Sequence, residues 1–208
     1  MSGRPRYAEA ARAPLRDSLL DAAADLLAEY SWSEISMEAI AARAGFSRQT
    51  LYNEFGSRDE FAQSFALREA DRFLTSIERS LREHPHDPHV AVQVAFARFL
   101  TLAAENPMVR SILVRDAGAD DLFALFTTRG GPVVELSTAR LARAVLELWP
   151  VVDEMDVRIA AEAMTRLAIS HAGLPTGSIE VASQSIAALI GPFLTATLQR
   201  EGVELDPR

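Results

Sequence analysis

The 208-residue chain contains neither cysteine nor lysine. Without cysteine it cannot form disulfide bonds, use a thiol nucleophile or bind zinc through cysteine ligands. All 21 basic residues are arginine, which we attribute to coding bias and not to function. The sequence also lacks a run of about 18 apolar residues and an apolar signal-peptide core, so we expect no membrane span and a cytoplasmic location.

Alternating apolar and polar residues, which would predict β-strands, are missing as well. Apolar residues make up 49% of the chain and recur mostly at three- and four-residue spacing. That spacing predicts amphipathic helices, separated by segments rich in proline or glycine such as 84–89, 130–132 and 173–177. We therefore predict an all-α protein.

One segment, residues 35–61, is the most informative part of the chain. Ser36 is a typical N-cap for a short helix, and Gly45 follows that helix as a residue that turns left-handed without steric cost. Ser47 is then placed to cap a second short helix. Two helices joined through a glycine turn predict a helix-turn-helix, whose second helix can enter the major groove of DNA.

The outward face of the second helix has suitable chemistry for reading DNA. Arg48 and Gln49 can hydrogen-bond base edges, Thr50 can contact a thymine methyl group, and Tyr52 and Asn53 can bind phosphates. An ordinary helical hairpin with a polar surface would show the same residue types. The residues alone therefore leave both interpretations open.

A longer helix begins directly after this segment, at the capping box formed by residues 57–60. Its positive N-terminus, together with Arg58, predicts a phosphate-binding position. The candidate DNA-binding residues are Ser36, Ser47, Arg48, Gln49, Thr50, Tyr52, Asn53 and Arg58.

The segment resembles the N-terminal domain of the TetR (tetracycline-repressor) family of bacterial regulators. The resemblance is carried by Ile40-Ala41, Ala44-Gly45-Phe46-Ser47, Thr50-Leu51-Tyr52, Phe55 and the run Gly56-Ser57-Arg58-Asp59-Glu60. It implies a helix-turn-helix domain over residues 1–57, including a basic N-terminal arm, and a helical bundle for ligand binding and dimerisation over residues 58–208. Two positions differ from the family: Ser31 replaces a glycine that usually ends the first helix, and Arg58 replaces a lysine that usually contacts phosphate.

The net charge of −8 is distributed unevenly along the chain. Residues 1–16 carry +3 and residues 43–58 carry +2, whereas the chain from residue 59 onward carries −7. The positive charge thus coincides with the arm and the predicted recognition segment, as expected for a surface that meets DNA.

The last two predicted helices combine apolar residues with small ones, which permit close helix approach. This pattern fits either the core of the chain or a four-helix interface between two copies. The TetR resemblance implies the interface, because that family dimerises through its two C-terminal helices. The interface candidates are Ala160, Ala161, Met164, Ile186, Ile190, Phe193 and Leu194.

The middle of the chain is rich in large apolar side chains, which fit either plain core packing or a ligand cavity between helices. Few charges are available inward, so a ligand would be apolar; Arg98, Arg166 and His171 are the candidates for meeting a polar group. Residues 165–171 are similar to TetR regulators linked to lipid or alkane metabolism, without identifying an effector. The pocket candidates are Phe96, Phe99, Leu100, Met108, Leu122, Phe123, Phe126, Trp149, Met164, Leu167 and His171.

No other chemistry stands out from the sequence. His84, His86, Asp87 and His89 have metal-ligand side chains, but they lie in a proline-broken loop that favours a solvated connection. The acidic residues at 116, 120 and 121 fit a solvated loop, and no nucleophile–base pair or phosphate-binding loop is present. We therefore expect no catalytic residue, metal or cofactor.

Together with the TetR resemblance, the sequence predicts a transcriptional regulator that binds a palindromic operator in double-stranded DNA as a homodimer. We expect a repressor, and activation is the alternative. A small apolar effector, such as a fatty acid or another lipid-like molecule, would release the repressor. The alternatives are a helical apolar-ligand binding protein, or an enzyme using the same cavity, without DNA-binding activity. The intact segment from Ser47 to Phe55 argues against the first, and the missing catalytic residues argue against the second.

Overall fold

The computed structural model describes residues 5–113 and 120–205. Over these residues the chain is helical throughout, without strands, so the all-α prediction is confirmed. The helices are α1 (Pro5–Glu29), α2 (Met37–Arg43), α3 (Arg48–Phe55), α4 (Arg58–Arg82), α5 (Pro88–Glu105), α6 (Pro107–Leu113), α7 (Asp120–Phe126), α8 (Gly131–Leu148), α9 (Glu154–Gly173) and α10 (Ile179–Arg200).

The first three helices pack around a core that the fourth completes. Trp32, from the α1–α2 connection, is fully buried and stacks on Phe65 of α4, with ring centroids 6.0 Å apart. Phe61, one turn earlier on α4, meets Phe55 of α3 edge to face at 4.8 Å. The same core continues into α6, α7 and the start of α8. The predicted domain boundary at residue 57 thus falls inside one packed core.

The remaining helices form a bundle in which α5 is central. Its most extensive contacts are with α10, and it also packs on α4 and α9. Helix α8 lies against both α9 and α4. Helix α4 therefore spans the whole molecule, with its first turns in the N-terminal core and its later turns in the bundle.

Helix α10 is the only described helix with the length and apolar content of a membrane span, with a mean hydropathy of 1.4 over its apolar window. Polar residues such as Gln184 and Ser185 interrupt it, so it is not the uninterrupted run of about 18 apolar residues that the sequence analysis looked for. Half of the window is buried inside the chain, and α10 packs on α5 and α9. Its packing is that of a bundle helix.

The contact between α5 and α10 depends on Gly191. A methyl group at this position would lie 2.7 Å from Nδ1 and 3.1 Å from Cβ of His89 on α5. The ring of His89 can rotate away, but the contact with its Cβ atom is relieved only if the helix backbone shifts. The glycine is therefore needed for the close approach of the two helices.

We predict that Gly191→Ala destabilises the protein by about 1–3 kcal/mol, the usual cost of forcing an extra methyl group into a packed contact. Alanine otherwise favours helices over glycine, so the sign of the effect is informative. Gly173→Ala is the matched control, because nothing lies within 4 Å of the added methyl group at the end of α9. Urea unfolding of both variants is the measurement. Equal free energies of unfolding of Gly191→Ala and wild type would show that His89 moves aside without loss of stability.

Candidate DNA-binding surface and ligand cavity

The turn between α2 and α3 has the geometry of a helix-turn-helix. Ser36 caps α2, with its Oγ accepting from the backbone N–H of Ala39 at 3.0 Å. Gly45 has a φ of +78° in the turn, a conformation that favours glycine. Ser47 caps α3 and accepts from the N–H of Thr50 at 3.1 Å. Both serines fix helix ends on the same surface.

Helix α3 presents the predicted residues on one side and its core residues on the other. Leu51 and Phe55 are buried, whereas Arg48, Gln49 and Asn53 are exposed. Thr50 and Tyr52 are half-buried at the edge of this face. The structure thus brings the five predicted recognition side chains together.

The exposed side chains of α3 are also in contact with one another. Gln49 Nε2 donates to Asn53 Oδ1 at 2.8 Å, and the Arg48 guanidinium lies 5.3 Å from the centre of the Tyr52 ring. These i, i+4 contacts restrain long side chains before any ligand arrives. A restrained surface loses less conformational entropy when it binds DNA.

Helix α1 supports α3 through two arginines. Arg16 donates to the backbone oxygen of Glu54 at 2.6 Å, and its guanidinium lies 4.1 Å from the centre of the Phe55 ring. Arg12 forms an ion pair with the Glu54 carboxylate at 2.6 Å. The sequence analysis counted both arginines only as positive charge near DNA. Their four-residue spacing was the one available signal that they share a face of α1.

Arg58, the predicted phosphate contact, binds two backbone carbonyl groups in the structure. Its guanidinium donates to the backbone oxygens of Ile35 and of Trp32, the latter at 2.7 Å, and lies 4.7 Å from the centre of the Trp32 ring. The side chain therefore fastens the α1–α2 connection to the start of α4. Two carbonyl groups held by one planar guanidinium explain why arginine serves here better than the lysine usual in the family.

The capping box at the start of α4 is present as predicted. Ser57 Oγ accepts from the N–H of Glu60, and the Glu60 carboxylate accepts from the N–H of Ser57 at 2.7 Å. The backbone N–H and then the hydroxyl of Ser57 lower the pKa of Glu60. A carboxylate therefore already occupies part of the helix N-terminus that was predicted to bind phosphate.

A partly open apolar cavity lies between α4, α5, α6, α8 and α9. Its volume is about 80 Å³. A cavity of about 150 Å³ is known to accommodate benzene, so a larger molecule can enter here only if the surrounding helices move apart. Four of the predicted pocket residues line it: Phe96, Phe99, Met108 and Met164.

Two more predicted pocket residues lie elsewhere but close by. Leu100 and His171 line a second depression, of about 100 Å³, beside the α9–α10 turn. The His171 ring contacts the edge of Phe96, with centroids 5.6 Å apart, which connects the two spaces. The prediction of one pocket holding all these residues is therefore wrong in detail.

The other predicted pocket residues whose side chains are described do not line the cavity. Trp149 is packed in the bundle core, where its Nε1 donates to the backbone oxygen of Pro85 at 2.8 Å. Leu122 belongs to the N-terminal core, Leu167 packs at the edge of the α5–α10 core, and Phe123 is exposed. The side chain of Phe126 lies outside the described part of the structure. The spacing of apolar residues identified the helices correctly. It could not tell which hydrophobic core each residue belongs to.

Polar groups at the cavity differ from those predicted. Arg98 is exposed and donates to Ser76 at 2.8 Å, and Arg166 pairs with Glu162 on the surface of α9. Among the described residues that line the cavity, Glu69 is the only charged one. Sequence reasoning missed it because an acid within an amphipathic helix usually faces solvent.

Six of the seven predicted interface residues are packed inside their own chain. Phe193 is exposed by 38%, while the remaining six face α4, α5 or α8. Helix α10 is apolar on both sides, so three-four spacing could not tell which side faces the core. The buried six are Ala160, Ala161, Met164, Ile186, Ile190 and Leu194.

The opposite sides of α9 and α10 carry apolar side chains in contact with solvent. Met155 and Ile159 on α9, with Val181 and Leu189 on α10, are exposed by 53–63%. We call these four residues, together with Phe193, the exposed stripe. Side chains of this kind on adjacent helices indicate a surface for association.

The His84–His89 loop has a structural role in the chain. Asp87 caps α5, with Oδ1 accepting from the N–H of His89 at 3.0 Å and of Val90 at 3.1 Å. His89 faces α10, as described above. The arm residues 1–4 and the acidic position 116 lie outside the described residues, as do the side chains at 120 and 121.

Comparison with known proteins agrees with this geometry. The family model "Bacterial regulatory proteins, tetR family" matches residues 19–65, and "Bacterial Tetracyclin repressor, C-terminal domain" matches residues 87–192. The HTH-type transcriptional regulator AlkX of Mycobacterium tuberculosis is 40% identical over 197 residues, covering 95% of this chain and 91% of its own.

Solved structures give the same result. The TetR family repressor AlkX from Dietzia sp. strain DQ12-45-1b, implicated in biodegradation of n-alkanes, superposes with a TM-score of 0.79 at 32% identity. The match covers 88% of this chain and 97% of that one. RolR in complex with resorcinol, at 18% identity and a TM-score of 0.61 over 96% of this chain and 98% of its own, shares the fold.

The helix-turn-helix surface and the helical bundle define a DNA-binding transcriptional regulator. The chain belongs to the TetR family, and the resemblance noted in the sequence is confirmed.

We predict that Gln49→Ala and Tyr52→Ala each weaken operator binding without changing the fold. For Gln49 the expected loss is that of a base contact, typically about 1–3 kcal/mol of discrimination or roughly 5- to 150-fold in affinity. Loss of the predicted phosphate contact of Tyr52 should weaken binding to all sequences alike. Gln199→Ala, the same change at an exposed position on α10, is the control. Fluorescence anisotropy with labelled operator DNA measures the affinities. Wild-type affinity and base preference in both variants would remove these residues from the recognition surface.

Proposed function

We propose that this protein is a cytoplasmic repressor that binds a palindromic operator as a homodimer and is released by a small apolar effector. The observation that carries the proposal is the coexistence of a restrained recognition face on α3 with an apolar cavity whose wall includes α4. A change in the cavity can reach the DNA-binding surface through that one helix. Gel shifts with DNA from upstream of the protein's own gene test the DNA-binding part.

The exposed stripe on α9 and α10 supports the homodimer. A helix pair with apolar residues on its outer side can pack against its own copy about a two-fold axis, forming a four-helix interface. Two recognition helices related by such an axis read two half-sites of a palindrome. Repression requires both copies on the same operator in this proposal.

The cavity supports an apolar effector. Its lining is almost entirely aliphatic and aromatic, and its charged group, Glu69, is already hydrogen-bonded to Asn106. The Dietzia regulator implicated in n-alkane biodegradation points to the same ligand class. A long-chain molecule would gain about 25 cal/mol for each Å² of apolar surface that it buries. It would release DNA only by favouring a state with the helices moved apart.

The dimer prediction uses the exposed stripe and not the buried residues of the same helices. Leu189→Glu places a charge on a solvated position of the monomer, so the chain should fold but lose the dimer and bind the operator at least tenfold more weakly, the effect of about 1.4 kcal/mol. Sedimentation velocity reports the oligomeric state. Tyr30→Glu, an equally exposed apolar residue on another surface, should leave the dimer intact. A Leu189→Glu protein that sediments as wild type would place the interface elsewhere.

In contrast, Ile190→Glu would introduce a charge beside α5, where burial without a partner is costly. We expect that variant to unfold at lower temperature instead of forming a folded monomer.

The effector prediction compares three probes. Dodecane and dodecanoic acid should weaken operator binding, whereas resorcinol, a small polar aromatic molecule, should not, because the cavity offers few polar partners. Native mass spectrometry measures binding, and anisotropy measures release from the operator. Operator binding that is indifferent to both long-chain probes would contradict the apolar effector. Release by resorcinol alone would show that the ligand site is a polar one.

A further inference from the structure

Glu69 is the only buried acidic side chain among the described residues, and it lies in the middle of α4. It belongs to the cavity wall, yet both of its oxygens point to polar partners. Oε2 accepts a hydrogen bond from Asn106 Nδ2 at 2.8 Å. Oε1 accepts one from Arg72 Nη1 at 3.2 Å and lies 3.6 Å from Arg68 Nη2. An ionised group in an apolar wall requires such partners to remain charged.

The two arginines connect Glu69 to the DNA-binding part of the molecule. Arg68 Nη1 donates to Asp21 Oδ1 at 2.8 Å, and Arg72 Nη2 donates to the same oxygen at 2.7 Å. Asp21 belongs to α1, the helix whose Arg12 and Arg16 hold the end of α3. These ion pairs therefore link the cavity to α1, and α1 itself links them to the recognition helix.

Asn106 connects Glu69 to the other side of the cavity. Its Oδ1 caps α6 by accepting from the N–H groups of Met108 at 2.9 Å and Val109 at 3.2 Å. Met108 and Val109 themselves line the cavity. A molecule that pushes α6 away from α4 must therefore lengthen the hydrogen bond between Asn106 and Glu69.

Arg68 has unused hydrogen-bonding capacity next to Glu69. Its Nε and Nη2 atoms are buried and have no hydrogen-bond partner among the described residues. Burial lowers the pKa of this guanidinium, so it gains from any closer anion. A Glu69 carboxylate that leaves Asn106 can therefore gain hydrogen bonds from Arg68.

We propose that Glu69 is the positioning residue that couples ligand binding in the cavity to the DNA-binding surface. Its carboxylate exchanges the hydrogen bond from Asn106 for one from Arg68. With the cavity empty, Asn106 holds the carboxylate and both arginines hold Asp21. When a ligand separates α4 from α6, the carboxylate turns to Arg68 and weakens the hold of that arginine on α1. A two-position group that both sites influence is the physical requirement for coupling. The inference rests on the proposed function, in which an effector fills this cavity.

The test compares Glu69→Gln with Glu78→Gln. Both are acids on α4 with little exposure, 8% and 12%, and both pair with arginine, but Glu78 pairs with Arg140 and does not line the cavity. The readout is the ratio of operator dissociation constants with and without dodecanoic acid, since a purely structural role would change both constants together. Ligand binding and thermal unfolding are measured separately for each variant.

We expect dodecanoic acid to bind Glu69→Gln but to change its operator affinity by less than about threefold. Allosteric effects in general are about 5- to 150-fold, and Glu78→Gln should keep the wild-type ratio. Asp21→Asn interrupts this link at its exposed end and should lower the ratio in the same way, including in the event that Glu69→Gln does not fold. The double variant should lower it no further than either single change.

A wild-type ratio in Glu69→Gln or in Asp21→Asn would overturn the proposal, as would an equal loss in Glu78→Gln.

If dodecanoic acid does not bind the wild type, the effector assignment fails, and the coupling through Glu69 is then tested by a substitution in the cavity wall. Ala168→Leu places added carbon atoms in the cavity wall and should weaken operator binding in the wild-type background but not together with Glu69→Gln. Equal operator affinities with and without Ala168→Leu, or equal weakening in both backgrounds, would refute the coupling through Glu69.

Discussion

The packing of α4 is the constraint on which the rest of this molecule depends. Its first two turns supply Phe61 and Phe65 to the core beneath the helix-turn-helix, and its middle forms one wall of the cavity. Since a helix moves as a nearly rigid rod, the two ends cannot change position independently. Arg58 fastens the beginning of this rod to the α1–α2 connection. The DNA-binding surface and the cavity are therefore mechanically one system.

Polar contacts join α1 to α3 and α4 at positions where apolar packing alone would let the helices slide past each other. Arg12 and Arg16 join α1 to the end of α3, and Arg68 and Arg72 join α1 to α4. The guanidinium group suits such positions because it is planar, remains charged and donates in several directions. We attribute the absence of lysine to coding bias. Its structural consequence is that arginines make these contacts between helices, with hydrogen bonds in defined directions.

Local features were predictable from the sequence, and long-range ones were not. Ser36, Ser47 and Ser57 act as N-caps, and Gly45 occupies the turn, because each depends only on neighbours within four residues. The choice between the two apolar sides of α10 depends on α5, about 90 residues earlier, so spacing could not assign Ile190 to the core. Glu69 was missed for the same reason, because its partner Asn106 is distant in sequence. Arg58 binds backbone carbonyl groups that no side-chain pattern reveals, and its phosphate contact stays a prediction.

Because the cavity is small, a higher apparent affinity for a ligand and a higher stability of the protein are competing properties. In the proposed sensor, the free energy of separating the helices is subtracted from the gain of burying a ligand, which lowers the apparent affinity. Trimming a wall residue such as Met164 would reduce the cost of opening, but removing buried methylene groups also destabilises the empty protein. Selection for responses at lower effector concentration would therefore erode the heat resistance of the DNA-bound form. The lowest concentration that such a regulator can detect is bounded by how much stability it can lose.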